Sequence, residues 1–270
     1  MIKKITNKLQ IHSRWRIALK TIPFVMVILL LKFGAHYFGY EFLTLNSLFT
    51  AIISANIFLI GFLISGTLVD YKESEKLPSD LSSSLETMAD EAMIIYQNKK
   101  SPEAMKFLLK LSHFNKSLVA WFYKRERTDE IMDKLRSFND DFLAFESETQ
   151  ANFIVRLKQE QNLTRKTIKR IDTIRDTSFL GTGYVIAEIM TLLLVFSLIF
   201  IKMDPFYEGT VFVFIVSFIL IYMTYFIKDL DNPFGYYEDN SMDDEVSLKP
   251  ILDSQKRIDS YYQELSNKQV

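Results

Sequence analysis

Two ionisable residues stand inside long apolar runs of this 270-residue chain, Lys32 in the run 22–38 and Glu188 in the run 181–201. A charge at the centre of a bilayer costs about 2.5–3.5 kcal/mol on insertion scales, so each residue needs a partner or an exit. Counted from the basic flank of each run at ~1.5 Å per residue, Lys32 lies roughly 15 Å in and Glu188 roughly 10 Å in. Two long side chains bridge that difference, and the spacing predicts that Lys32 and Glu188 neutralise each other. Lys32 has an alternative, because it can snorkel outward past a single turn. Glu188 is surrounded by apolar neighbours; left unpaired, it would face water or an ion path, as in a proton-coupled carrier.

The run 47–69 carries a different pattern. Ser47, Ala51, Ser54, Phe58, Phe62, Ser65 and Val69 recur at spacings of three and four, which puts them on one helical face. Repeated around an axis, rings of phenylalanine can close a pore by dewetting, without any charge. Within one chain the same phenylalanines would pack between helices or face lipid. Near the C-terminus Glu238, Asp239, Asp243, Asp244 and Glu245 offer hard oxygen ligands of the kind calcium takes, or form a solvated charged loop.

Other chemistry is sparse. His12, His36 and His113 are far apart, and the absence of cysteine removes disulfide and thiolate chemistry. There is no Gly-rich phosphate loop, HExxH pair or Gly-x-Ser-x-Gly elbow, so no catalytic residue and no cofactor is expected. A formal net charge of -1 gives no reason to expect nucleic acid. The sequons at Asn115 and Asn162 are read as chance matches.

Four apolar runs, at 22–38, 47–69, 181–201 and 209–227, must position these residues. Each is long enough to cross a hydrocarbon core of ~30 Å, and only a helix satisfies the backbone there. The first run has a long basic flank and no small-x-small cleavage site, so it is read as an uncleaved anchor. Lys and Arg crowd 1–20, 158–175 and the stretch after the fourth run, while the short turns 39–46 and 202–208 hold only Lys202. The positive-inside rule then puts both turns outside a cell membrane, and both termini inside.

The organisation that follows is all-α: 1–69 with the first two spans, a helical cytoplasmic domain at 70–178, spans three and four at 179–228, and a cytoplasmic tail at 229–270. Helices are expected at 81–97, 102–124, 130–145 and 150–175, with Ser101 capping and Pro102 at the first helical position. An apolar stripe through Met105, Leu108, Leu109, Leu111, Phe114, Leu118, Val119 and Phe122 needs a covering surface. That surface lies either in this chain or in a neighbouring subunit.

Two stretches are more specific. The first runs from Ser54-Ala55-Asn56 through Gly61-Phe62 to Tyr71-Lys72-Glu73-Ser74-Glu75-Lys76-Leu77-Pro78. The second is Leu230-Asp231-Asn232-Pro233-Phe234-Gly235, followed by acidic residues. Together with the order of spans, they resemble the bestrophin superfamily. The resemblance implies a homo-oligomeric, pentameric ion channel passing small inorganic ions, embedded in membrane lipid. It places a narrow neck on the second span, with rings at Phe58 and Phe62 and with Ser54 where the family usually has a bulkier aliphatic residue. Asn232, Pro233, Phe234 and Gly235 match the turn after the fourth span. Calcium-responsive members follow that turn with acidic ligands at once; here Tyr236 and Tyr237 intervene and Asn240 replaces one acid. Asp70 stands near where animal members carry a basic residue, so the resemblance does not imply anion selectivity. The alternative function is a non-conducting membrane scaffold or signalling protein whose cytoplasmic helices bind a partner.

Overall fold

A computed structural model describes residues 15–178, 180–236 and 246–267, and the chain divides into two compact units. One contains the described residues up to Tyr71 together with those of Ser178–Pro233. The other contains Lys72–Thr177 and the described residues from Phe234 onward.

Among the described residues, the first unit holds four helices long and apolar enough to cross a membrane. These are α1 (Arg16–Tyr37), α2 (Ser47–Ser74), whose last turn runs into the second unit, and, further along the chain, α8 (Gly181–Ile199) and α9 (Phe206–Leu230). Gly39 ends the turn after α1 at φ +69°, a conformation that glycine enters without steric cost. Two short strands, β1 (Leu43–Thr44) and β2 (Ile201–Lys202), then pair in parallel and tie the two inter-span turns together. The core of this unit is apolar, with Ile28, Ile60, Leu63, Leu194, Leu198, Val213 and Leu220 all buried. Gly183 lets α8 come close to α2, since a Cβ there would lie 2.9 Å from Leu63 Cδ2.

The second unit is built from α3 (Leu77–Lys99), α4 (Pro102–Phe122), α5 (Thr128–Arg136), α6 (Phe138–Phe145), α7 (Ala151–Asp176) and α10 (Lys249–Asn267). Ser101 caps α4 by accepting from the Ala104 amide at 3.1 Å, with Pro102 at the first helical position. The single helix expected over 130–145 is two. Its break falls at Ser137, whose hydroxyl donates to the Lys134 carbonyl at 2.7 Å and so competes with the helical ladder. The Ser137 carbonyl accepts from Lys110 Nζ at 2.8 Å as well as from the Asp140 amide at 3.3 Å. Behind that break Phe107, Phe114, Phe138, Phe142 and Phe145 form a cluster of edge-on rings.

The segment expected to be a tail contains α10, whose Ile251, Ser254, Ile258 and Leu265 are buried. This helix, together with α3, covers the stripe on α4, so the covering surface comes from the same chain. Asn115 is buried against it, donating to Ser254 Oγ at 3.3 Å, which closes that sequon to modification. The α10 stripe escapes a sequence reading because its apolar positions are few and widely separated among Lys, Asp, Gln and Ser.

Candidate functional site

The second span has two faces of opposite character. Ile53, Asn56, Ile60, Leu63 and Thr67 point into the first unit and are buried. The other face, carrying Ser47, Ala51, Ser54, Phe58, Phe62, Ser65 and Val69, is exposed along its whole length. Phe58 is 77% exposed and Phe62 56%, which is high for residues of that size. Their rings are therefore not used to pack this chain. Ser54 turns its hydroxyl to its own helix, donating to the Thr50 carbonyl at 2.9 Å. Such a face can lie against lipid, water or another copy without leaving that hydroxyl unpaired.

The buried face of α2 carries a polar connection through the apolar core. Asn56 Nδ2 donates to Thr191 Oγ1 of α8 at 3.0 Å, and Thr191 shares a 3.4 Å contact with Thr224 of α9. The Asn56 Oδ1 is buried with no hydrogen-bond partner among the described residues. Further along, Tyr184 of α8 donates to Asp231 at 2.7 Å and lies 3.1 Å from the Thr67 hydroxyl. These bonds fix the rotation of α2 about its own axis, and so which face it turns outward. A lone amide in an apolar run is the sequence signal for Asn56; its pairing with Thr191, 135 positions away, has no local signal.

Lys32 and Glu188 do not pair with each other. Lys32 is fully buried, its ammonium 2.5 Å from Glu41 Oε1 and also donating to the Ile201 carbonyl. Glu41 takes a second contact from His36 Nδ1 at 2.9 Å. Burial on its own would raise the Glu41 pKa, but the bonds from Lys32 and His36 outweigh it and hold the carboxyl below its ordinary value. Glu188 is instead 2.6 Å from Lys228 of α9. The reason is reach: Lys32 lies five residues before the end of α1, so the acid in the next turn is nearer than any group two turns into α8. Lys228, two residues before the end of α9, extends back to Glu188. Neither Glu41 nor Lys228 was singled out in the sequence, because both lie outside the apolar centre of a span.

After α9 the turn at Asn232, Pro233, Phe234 and Gly235 is buried apart from Asn232. Phe234 packs within the second unit against Phe122, with ring centroids 5.9 Å apart, and Tyr236 hydrogen-bonds to the Val246 carbonyl. Glu238, Asp239, Asp243 and Asp244 lie outside the described residues.

More than nine-tenths of the chain superposes on solved membrane proteins. A variant of a bacterial bestrophin homologue from Klebsiella pneumoniae matches 92% of this chain and 99% of its own, with a TM-score of 0.74 at 14% identity. A second variant of that homologue matches 93% and 98%, with a TM-score of 0.75 at 13% identity. The fold is that of the bestrophins. A further crystal structure, of a membrane protein variant, matches 91% of this chain and 98% of its own, with a TM-score of 0.75 at 14% identity. No protein-family model and no curated protein matches the sequence. Within the bestrophin fold, Gly61-Phe62 falls on the exposed face of α2, and the Asn-Pro-Phe-Gly turn falls where the first unit gives way to the second.

Proposed function

We propose that this chain is a homo-oligomeric, pentameric ion channel whose neck is lined by the exposed face of α2. The observation that carries the reading is the division of that helix: five residues from Ile53 to Thr67 are committed to the chain's own core, while Ser54, Phe58 and Phe62 are left uncovered. In a symmetric assembly, rings of Phe58 and Phe62 would form an apolar constriction that gates by dewetting. The fold shared with bestrophin homologues over 92% of the chain supports the same reading. By the distribution of Lys and Arg, the second unit and both termini lie on the cytoplasmic side of the cell membrane.

The test is ion flux into liposomes together with the mass of the assembly in mild detergent. Phe58→Ala and Phe62→Ala should each raise the leak of small ions while the oligomer keeps its mass. An intact oligomer whose flux neither substitution changes would remove the neck assignment. A chain that passes no ion in any of these forms would instead be the scaffold.

A further inference from the structure

A groove of about 790 Å³ runs along the first unit between α1, α8 and α9. One end carries the Glu188–Lys228 pair, with both side chains partly exposed. From there the walls are almost entirely apolar, including Phe24 and Val27 of α1, Leu192 and Phe196 of α8, and Ile221 of α9. From Glu188 to Ile199, the far lining residue on α8, the groove extends eleven positions, or about 16 Å at the helical rise. That is roughly half of a hydrocarbon core ~30 Å thick, the depth of one leaflet.

The geometry points to a phospholipid site for a zwitterionic, amine-bearing lipid of the phosphatidylethanolamine type, its acyl chain in the groove and its headgroup at Glu188 and Lys228. Three observations converge on this occupant. The groove spans one leaflet rather than two. Its charged groups sit at one end and not along the wall. Those groups carry both signs side by side, so the carboxylate can accept from the lipid amine while the ammonium donates to the phosphate. A purely anionic lipid would meet Glu188 as a like charge. An uncharged amphiphile would leave the pair without new partners.

The experiment measures the lipid that stays with the full-length protein. The protein is purified in mild detergent from vesicles of equal phosphatidylethanolamine and phosphatidylglycerol, and the retained lipid is weighed by native mass spectrometry. Phosphatidylethanolamine should be enriched over phosphatidylglycerol. The double variant Glu188→Gln/Lys228→Met, which removes both charges together and leaves neither unpaired, should lose that enrichment by roughly tenfold, the scale of one hydrogen bond to a charged group. Lys249→Met, which removes a charge in the second unit, should leave it unchanged. Retention in the bulk ratio, or equal enrichment in the double variant, would overturn the site. So would efficient disulfide cross-linking between copies through Leu192→Cys, because a second copy would then cover the groove.

Discussion

Lys32 and Glu41 meet 2.5 Å apart at the C-terminal end of α1, with 1% and 9% of their side chains exposed. The Ile201 carbonyl accepts from the same ammonium, so Lys32 ties the end of the first span to β2 as well as to the turn that follows it. Removing one member leaves a buried charge without its counter-charge, which costs about 3–5 kcal/mol, whereas replacing both can be close to neutral. Lys32→Met and Glu41→Gln should each lower the melting temperature in detergent, and the double variant should regain most of the loss. Additive losses would mean that the two groups act separately.

The same pair sets a pH dependence. The Glu41 carboxyl is held below its ordinary value when folded, so its contribution to stability is complete above about pH 5, beyond the unfolded carboxylate range. It is lost as the pH falls through the folded value. Thermal melts of the wild type should therefore drop in acid, and Glu41→Gln should flatten that drop. An identical acid profile in the two proteins would contradict this account.

Asn56 and Thr191 make a neutral counterpart deeper in the bundle. Thr191→Val leaves the Asn56 amide without the acceptor it has now, in a place that water reaches poorly, at a cost of about 1–3 kcal/mol. Asn56→Leu in the same background should recover part of that loss, because both polar groups are then gone. Chemical denaturation of the wild type and the two variants reads the order directly, with Thr191→Val the least stable.

How much of this was legible in the sequence follows from the range of the signals. The four spans and the helix at Pro102 are written in local composition and periodicity, and they stand where those signals put them. The two faces of α2 follow from its spacing of three and four. Pairings across the chain are different, since Lys32 finds Glu41 rather than Glu188, and Glu188 finds Lys228. Depth along a span limits which charges can meet, but helix rotation and side-chain reach decide between them, and neither is written locally. The packed face of α10 is hidden for a related reason: it makes sense only against α3 and α4.

That helix contributes to the core of the second unit. Ile258 is fully buried, and α10 covers part of the α4 stripe that includes Leu111 and Leu118. Ile258→Ala should cost about 2–5 kcal/mol, the range for emptying a well-packed apolar site. Limited proteolysis should then cut the second unit faster in the variant than in the wild type. Unchanged cleavage would mean that α10 does not hold that core.

The topology can be tested with single cysteines, since the native chain has none. Tyr40 lies in the turn after α1 and is 62% exposed, and Lys106 on α4 has 69% of its side chain exposed, so either position accepts a cysteine without opening a core. The turn holding Tyr40 has no Lys or Arg, while basic residues flank α1 on its other side and approach α8 through the end of α7. The positive-inside rule assigns the basic flanks to the cytoplasm. A membrane-impermeant thiol reagent should therefore modify Tyr40→Cys in intact cells, and Lys106→Cys only after the membrane is opened. Modification of Lys106→Cys in intact cells would invert the chain in the membrane and place the second unit outside.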